Sequence, residues 1–528
     1  MLFFDEDCNA RYYYAEAGTL LPKDLDHIVD DLKNTDVKSM VIGTGGASAM
    51  YPGAKAVNEY IAGFEMEKGL DQPWFCGHPG VWGYRNAANI VVLQKMGCDS
   101  NDYLLKRARE NGMEAWITIR MNDQHGTWVE KSPGHSQLWM DHPEMRTQTC
   151  APQSGLSFEH PQVREMMFNV IIENLELYDV DGIILDWMRH VPHFNDGEGE
   201  SFIPVINDYM GEIRKMVDSF AEKRGRRIMI APRLPASVER ARYHGLDGAA
   251  WAQKGYIDRL IISPKYLRSY ILDPGEWKRA IGRDDFPVTA CIDTPYQPYP
   301  GYPTDGPTGA WTREPFDRRQ LPFIRGACRV ALNNGSDGIY LFNFMNIRNK
   351  KKMMEIFDEC GSWEMLQGKN FSLDISYDDL HMDEPNFLKG WRAKSNDEYF
   401  SVWRNDLKAK GVYPYQLPQE LAPGASCRFS FVTGRITEKQ LPQIAFSFEG
   451  INEAKVVFNG VECRAENGRF ICPQVTGFTG QTAEISVTNT SGEAVIVERA
   501  SMHFSWDGEF PELYNPAKKI TIGVAADI

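Results

Sequence analysis

One structural unit repeats along the first 365 residues of the chain, a short apolar run joined to an amphipathic helical stretch. Strands that alternate with helices favour parallel βαβ units, and eight such units in about 360 residues predict a (β/α)8 barrel. The predicted strands are 2–4, 37–42, 115–119, 182–185, 227–231, 259–262, 288–292 and 338–342. An open doubly wound sheet is the alternative. Its first turn usually carries glycines, whereas this chain has Asp5-Glu6-Asp7-Cys8-Asn9 there.

The pattern changes after residue 370. Short runs of alternating hydrophobicity appear, separated by turn dipeptides such as Asn459-Gly460 and Asn467-Gly468. The runs predict strands at 399–403, 427–432, 443–448, 454–458, 470–472, 483–487 and 494–498. Many short strands with turn signals favour a β-sandwich. We therefore predict two domains, a catalytic barrel at 1–365 and a β-sandwich accessory domain at 370–528.

The chain is acidic, with 57 Lys and Arg against 72 Asp and Glu and a formal net charge of −15. This balance argues against nucleic acid as a partner, because nucleic-acid binders usually present a basic surface. It also argues against anionic membranes, and no run reaches the ~18 apolar residues of a transmembrane helix. The start lacks the basic and apolar regions of a signal peptide. We expect a cytoplasmic protein, or a secreted or periplasmic one whose leader is removed, and a homo-oligomer stays open.

Polar side chains follow nearly every predicted barrel strand. In a (β/α)8 barrel the chemistry sits at the carboxyl ends of the strands and in the loops after them. The candidates at these ends are Asp5, Arg120, Asn122, Asp123, His125, Asp186, Arg189, His190, Arg233, Lys265, Tyr266, Asp293 and Asn343. The loops after the second, third and seventh strands are long, which is typical of loops that shape a site. Their aromatic residues Trp128, Tyr296 and Trp311 are candidates for stacking on sugar rings.

Asp186 is the most informative single residue, because it directly follows the fourth apolar run, Gly182-Ile183-Ile184-Leu185. A carboxylate at that place can attack an anomeric carbon or exchange protons with a glycosidic oxygen. The alternative is a structural Asp186 hydrogen-bonded to Arg189 or a neighbouring loop. Glycoside hydrolysis normally needs a second carboxyl group. Asp293 after the seventh strand is the first candidate, Asp123 the second, and Asp5 with Glu6 the third.

Four basic residues surround the same predicted mouth: Arg120, Arg189, Arg233 and Lys265. We expect one or two of them to pair with Asp186 and Asp123. Any that stay unpaired would suit a sugar bearing a carboxylate or sulfate, since arginine binds such groups bidentately.

Two histidines, His190 and His193, lie three residues apart, with His125 in a neighbouring loop. A metal site is conceivable from this set. The chain has no H-x-H after the first strand and no H-E-x-x-H. Histidines that only form hydrogen bonds are therefore favoured, and neither a metal nor a cofactor is predicted.

The fourth predicted strand and its flanks read Tyr178-Asp179-Val180-Asp181-Gly182-Ile183-Ile184-Leu185-Asp186-Trp187-Met188-Arg189. This segment resembles the "YDVDGIxLDxxR" segment of glycoside hydrolase-like family 10 barrels. Two further segments resemble the same proteins, one at 158–164 ahead of that strand and one at 337–343 on the eighth. The resemblance covers roughly residues 1–360. It implies a (β/α)8 barrel that acts on glycans, with Asp186 as the catalytic carboxylate. The chain departs from common glycosidase layouts in having aspartate rather than glutamate after its fourth and seventh strands.

Together these observations predict a glycosidase that cleaves an O-glycosidic bond of an oligo- or polysaccharide. Asp186 is the predicted nucleophile or base and Asp293 the general acid, with Asp123 as the substitute. The remaining strand-end candidates are predicted to bind sugar hydroxyls or an acidic substituent. Two alternatives stay open, a catalytically silent glycan-binding protein and a lyase or isomerase of uronic-acid sugars that uses His or Tyr as its base.

Overall fold

The structure is a computed structural model. It describes residues 1–123, 125, 129–148, 155–195, 197–263, 272–293, 304–305, 310–311, 320–346, 350–376, 417, 419–437, 440–473, 482–497, 499–511 and 513. Four predicted binding residues, Trp128, Lys265, Tyr266 and Tyr296, lie outside the described residues. For Trp311 only the backbone is described, in a short antiparallel pair of Thr304–Asp305 with Ala310–Trp311.

Eight parallel strands among the described residues close into a barrel. They are β1 (Leu2–Glu6), β2 (Val37–Gly43), β3 (Glu114–Arg120), β4 (Gly182–Asp186), β5 (Met229–Pro235), β6 (Leu260–Ser263), β7 (Val288–Asp293) and β8 (Gly338–Phe342). Each strand pairs with the next in the chain, and β8 pairs with β1, which closes the ring. The prediction of a (β/α)8 barrel is confirmed, and the open doubly wound sheet is wrong.

Helices connect the strands on the outside of the barrel. Their bounds are Ala10–Tyr13, Asp26–Asp30, Val81–Lys95, Ser100–Glu110, Gln137–Asp141, Pro161–Leu177, Ile203–Arg224, Val238–Tyr243, Gly248–Gln253, Pro274–Ile281, Gln320–Asn333, Lys350–Glu359 and Trp363–Leu366. The long helices bury one face against the strands. Ile203–Arg224, for example, buries Ile206, Met210, Ile213 and Val217 at helical spacing and ends at Gly225, which adopts a positive φ of 67°. None of the described helices has the length and apolarity to cross a membrane.

The lumen of the barrel is filled by alternate residues of the strands, because successive side chains of a strand point to opposite faces. One buried cluster collects these inward residues: Phe3, Val41, Trp116, Ile184, Ala231, Ile261, Cys291, Tyr340 and Phe342. Two residues further along the strands, or four on β3, the same alternation turns Asp5, Arg120, Asp186, Arg233, Ser263 and Asp293 inward at the carboxyl end. The floor of the lumen is therefore apolar and its mouth is polar.

The strands after Phe371 are antiparallel, in the described part of the chain. One sheet contains Phe371–Ser376, Arg499–Ser505, Gln443–Glu449, Arg469–Ile471 and Arg464–Glu466 in spatial order, and a second contains Ser426–Val432, Thr482–Asn489, Ala454–Phe458 and Val461–Glu462. Gln419–Leu421 pairs with Val495–Val497. The predicted all-β region is confirmed, while the exact division of the chain between 365 and 370 stays a prediction. The predicted strand at 399–403 lies outside the described residues.

Candidate active site

Asp186 ends β4 and points into the mouth of the barrel with a side chain that is 2% exposed. Both carboxylate oxygens accept hydrogen bonds. The backbone N–H groups of Met188 and Arg189 donate to Oδ1 at 3.0 and 2.9 Å, and Arg233 Nη1 donates to Oδ2 at 2.9 Å. Every polar group in this set is a donor, so Asp186 is held as an acceptor.

Arg233 is the cation of this site and is itself 2% exposed. Its Nη2 donates to Ser263 Oγ at 3.0 Å, and its guanidinium lies 3.9 Å from the centre of the Phe342 ring. Burial disfavours the charge, but nearby Asp186 outweighs it, so the pKa of Arg233 is held above its ordinary value. Contacts to β4, β6 and β8 therefore fix one permanent positive charge among the strand ends.

Asp293 ends β7 and is 2% exposed. Among the described residues, its Oδ1 accepts one hydrogen bond, from Asn343 Nδ2 at 2.9 Å. Burial raises the pKa of Asp293 to about 6, against lowering contributions from Arg233, from the Asn343 hydrogen bond and from Arg189. A carboxyl group with such a pKa exchanges a proton close to neutral pH, as a general acid must.

A second cluster of charges adjoins Asp186, around Arg120, which ends the neighbouring strand β3 and is the register partner of Asp186. Arg120 Nη1 donates to Asp123 Oδ2 at 2.9 Å, and Nη2 donates to Asp7. Asp123 Oδ1 also accepts from His125, at 3.0 Å from its N–H group and 2.6 Å from its ring Nδ1. His190 Nδ1 lies 3.5 Å from the same oxygen. Asp123 is thus surrounded by donors.

The pKa of Asp123 is shifted in the opposite direction from that of Asp293. Burial raises the pKa of Asp123, but His125, Arg120 and His190 together outweigh burial, and the pKa lies well below its ordinary value. The Arg120 guanidinium has a pKa well above its ordinary value, since Asp7 and Asp123 overcome the effect of burial. Asp123 therefore stays ionised and suits positioning better than proton donation.

The side chains of Asp123, His125 and His190 lie close enough to share a metal ion, with ligand atoms within 4.8 Å of one another. Two guanidinium groups approach the same atoms. Arg120 Nη1 lies 3.2 Å from His125 Nδ1, and Arg189 Nη2 lies 3.2 Å from His125 Nε2. Their positive charge would repel a cation at this place.

The two acidic residues of β1, Asp5 and Glu6, point to opposite faces of the strand because they follow each other directly. Asp5 points into the lumen, where Tyr340 donates to its Oδ2, and burial raises the pKa of Asp5 well above its ordinary value. Glu6 points outward and forms an ion pair with Arg11 at 3.3 Å. The hypothesis that Asp5 and Glu6 together offer a second carboxylate is therefore wrong for Glu6, because successive strand residues face opposite sides.

The side chain of Asn122 forms hydrogen bonds to the backbone of two loops near the mouth. Its Nδ2 donates to the carbonyl groups of Leu156 and Pro192, at 3.2 Å each, and its Oδ1 accepts from Leu156 N–H at 3.0 Å. Both amide hydrogens are thereby occupied, so the structure gives Asn122 an anchoring role where the sequence suggested a contact to sugar.

The pairing expected for the four basic residues is observed for Arg233 with Asp186 and for Arg120 with Asp123. Three contributors to the site were not singled out from the sequence: Asp7, Ser263 and Tyr340. Asp7 lies two residues beyond Asp5, and the alternation of side chains along a strand is a signal that could have placed both at the mouth. No pattern in the sequence indicated a site role for Ser263 or Tyr340. Ser263 follows a short apolar run, and Tyr340 lies inside one.

No protein-family model matches the chain, and no curated protein sequence matches it. The resemblance to glycoside hydrolase-like family 10 barrels therefore stays a prediction. Several solved structures are similar at low identity. A noncanonic maltogenic α-amylase from Thermotoga neapolitana is 13% identical, with 94% of this chain and 98% of that chain covered and a TM-score of 0.35.

Two more solved structures give the same range of similarity. An α-amylase from Geobacillus thermoleovorans, in complex with acarbose, is 11% identical over 93% of this chain and 98% of that chain, with a TM-score of 0.33. The multi-modular chitinase ChiW from a Paenibacillus species is 10% identical over 94% of this chain and 53% of that chain, with a TM-score of 0.41. These scores are too low to carry an argument, so the fold class rests on the strand order of the barrel itself.

Proposed function

We propose that the protein is a glycoside hydrolase in which Asp186 is the nucleophile or base and Asp293 is the general acid. The observation that carries the proposal is the contrast between these two carboxyl groups at one barrel mouth. Three donors face Asp186, whereas Asp293 has one amide partner among the described residues and a pKa raised to about 6. Acid–base cleavage of a glycosidic bond requires one carboxylate that acts as nucleophile or base and one carboxyl group that donates a proton.

Arg233 connects the two roles. It donates directly to Asp186, and its charge also lowers the pKa of Asp293. When Asp293 gives its proton to the leaving oxygen, the new carboxylate forms within the field of a fixed guanidinium, which stabilises it. Arg233 thus positions Asp186 and limits the cost of ionising Asp293.

The substrate we propose is an oligo- or polysaccharide bound mainly through its hydroxyl groups. Of the three predicted mouth arginines, all of them described, Arg120 and Arg233 already pair with carboxylates. A paired guanidinium has less to offer a carboxylate or sulfate on a sugar. The two pairs therefore favour neutral sugars over acidic ones.

Product release from neutral, uronic-acid and sulfated oligosaccharides tests the proposal, with D186N, D293N and a surface control run beside the parent. D102N is the matched control, because Asp102 pairs with Lys106 at 2.6 Å on an exposed helix face. We expect turnover of at least one neutral glycan, lost in both site variants and retained in the control. Turnover that survives in D186N contradicts the assignment. The anomer released first, read by NMR, then separates retention from inversion.

A glycan-binding protein without turnover is the second candidate. The observation that favours it is that both oxygens of Asp186 already accept hydrogen bonds. It predicts that no glycan in the panel is cleaved, that one of them raises the melting temperature, and that D186N binds this glycan as well as the parent does.

A further inference from the structure

A hairpin in the five-stranded antiparallel sheet brings two cysteines opposite each other. Its strands are Arg464–Glu466 and Arg469–Ile471, and its turn is Asn467-Gly468. Both turn residues adopt a positive φ, 49° and 75°, as in the type I′ turn that fixes the register of a hairpin with a two-residue loop. Arg464 pairs with Ile471. Extended by one residue, this register places Cys463 directly opposite Cys472.

The backbone hydrogen bonds of the two cysteines point away from each other. The N–H group of Cys463 donates to Val456 O at 2.8 Å, and that of Cys472 donates to Ile444 O at 2.9 Å. The cysteines are therefore a non-hydrogen-bonded pair of an antiparallel ladder, in which the two Cα atoms lie about 4.5 Å apart. A disulfide joins Cα atoms that are about 4.4–6.8 Å apart. The strands can thus be bridged at this place without a change of register.

The two thiols also contact each other. A side-chain hydrogen bond joins Cys463 and Cys472, and the residues are 6% and 4% exposed. This hydrogen bond and burial both raise the pKa of the Cys463 thiol, so the closed hairpin holds little of the thiolate that reacts with a disulfide. The strand Arg464–Glu466, however, is exposed and lies at the edge of its sheet. Local opening of this edge exposes both sulfur atoms without unfolding the protein.

A covalent link between these cysteines would connect the two β-sheets. Cys463 lies between Val461–Glu462, the last strand of the four-stranded sheet, and Arg464–Glu466 of the five-stranded sheet. The chain therefore crosses from one sheet to the other at this residue. Cys472 is hydrogen-bonded to Ile444, which lies on an inner strand of the five-stranded sheet. The link would join the crossover to the strand beside that inner strand.

We propose that Cys463 and Cys472 form an intramolecular disulfide by exchange with a small-molecule disulfide such as oxidised glutathione. The thiolate of one cysteine attacks a sulfur atom of glutathione disulfide, which breaks the S–S bond and releases one glutathione thiolate. The thiolate of the other cysteine then attacks the cysteine sulfur of the mixed disulfide and releases the second glutathione. Two electrons pass from the chain to glutathione, and the two thiol protons end on the released glutathione thiols. The site lies outside the barrel, so the proposal is independent of the glycosidase assignment.

Glutathione buffers test the proposal on the full, reduced chain. The protein is equilibrated with mixtures of reduced and oxidised glutathione, unfolded in iodoacetamide to block the remaining thiols, and cut with trypsin without reduction. Trypsin cleaves after Lys455, Arg464, Arg469 and Arg499, so Cys463 and Cys472 leave on separate peptides, 456–464 and 470–499, that contain no other cysteine.

We expect mass spectrometry to find these two peptides joined, and lighter by two hydrogen atoms than the two free thiol peptides together. At equal concentrations of reduced and oxidised glutathione, at least about half of the chains should carry the link. The proposal is overturned if both cysteines are blocked at every ratio, if they carry only glutathione, or if either is joined to a different cysteine.

Three single substitutions locate the link. C463S and C472S each remove one sulfur atom, and we expect the remaining cysteine of the pair to be blocked by iodoacetamide. C427S makes the same change at a half-buried cysteine of the four-stranded sheet and is the matched control, which should retain the joined peptides. If circular dichroism shows that a variant does not fold, the result for the parent chain decides. A folded C463S in which Cys472 joins another cysteine of the chain refutes a specific pair.

Discussion

The mouth of the barrel contains two clusters of charge built from the same residue types, with different consequences. In one cluster Arg233 pairs with Asp186, and Asp293 has one amide partner among the described residues. In the other, beginning on the strand next to that of Asp186, Arg120 pairs with two carboxylates, and Asp123 accepts hydrogen bonds from Arg120 and His125. The pKa of Asp293 is raised to about 6, while that of Asp123 is held well below its ordinary value.

The comparison teaches that a strand-end position does not decide what an aspartate can do. Asp123 follows β3 and Asp293 ends β7, two parallel strands of the same barrel, and burial alone would raise both pKa values. The number and charge of the donors separate them. Asp293 binds and releases a proton near pH 6, so it can act as a proton donor. Asp123 is stabilised in its ionised form by the neighbouring Arg120, His125 and His190. The predictions that follow test this division of roles.

The largest effect is expected for D186N, because it removes the only carboxylate to which Arg233 donates directly in the described residues. We expect kcat to fall by about 10³-fold or more, as for the loss of a nucleophile or base. D102N should retain the parent kcat. Circular dichroism and thermal melting must show a folded D186N, since Arg233 loses its charged partner. A folded D186N with at least half of the parent turnover would remove Asp186 from the mechanism.

D293N should lower kcat by about 10²–10⁴-fold, the usual contribution of a general acid. In the parent, kcat/KM should fall as the pH rises above about 6, because Asp293 then loses the proton that it must donate. The residual activity of D293N should lack this decline. A parent profile that is flat between pH 5 and pH 8 would contradict the assignment of Asp293, whatever the activity of D293N.

Stability should respond to D293N in the opposite direction from activity. The folded pKa of Asp293, about 6, lies above the ordinary value of 3.8. Ionisation therefore costs the folded state nothing below pH ~4 and its full penalty above pH ~6, so the parent loses stability as the pH rises through this window. D293N removes the penalty and keeps an acceptor for Asn343. Its melting temperature should exceed that of the parent at pH 8 and approach it at pH 4.

D123N should show the reverse combination. Asp123 is expected to hold Arg120 and His125 in place without donating a proton, so kcat should fall by less than about tenfold. The free energy of unfolding should fall by about 1–3 kcal/mol, because the buried Arg120 loses a charged hydrogen-bond partner and His125 loses another. Denaturant unfolding at pH 7 measures this change. If D123N loses as much kcat as D293N and gains stability, the roles assigned to the two clusters are exchanged.

The sequence predicted the barrel and the place of Asp186 and Asp293, because each ends a short apolar run that only a buried strand explains. It placed Arg233 beyond its strand, whereas β5 continues to Pro235. The prolines at 232 and 235 interrupt the apolar pattern there. The helix Val81–Lys95 was not predicted, and its polar Arg85, Asn86 and Asn89 weaken the apolar periodicity.

The partners of the site residues could not be predicted, since they depend on contacts between distant segments. Nothing in the sequence near Arg120 shows that its second terminal nitrogen, Nη2, would donate to Asp7, which lies 113 residues earlier in the chain. In the same way, the donors of Asn122 meet carbonyl groups 34 and 70 residues further on. Candidate residues at the mouth could therefore be predicted from the sequence. Which of them form ion pairs, and which one has a pKa near neutral pH, depends on contacts that only the folded chain makes.

The smallest effect is expected from metal removal. Asp123, His125 and His190 could bring their ligand atoms around one ion, but Arg120 already donates to Asp123 and both guanidinium groups face His125. Binding a divalent cation would require these groups to move apart against the repulsion of like charges. Dialysis against EDTA should therefore leave kcat within about twofold of the untreated protein, since no step of acid–base cleavage by two carboxyl groups needs a metal. A loss of turnover that Zn²⁺ restores would show that this cluster works as a metal site, and the two charge clusters of the mouth would then be a metal centre and an ion pair.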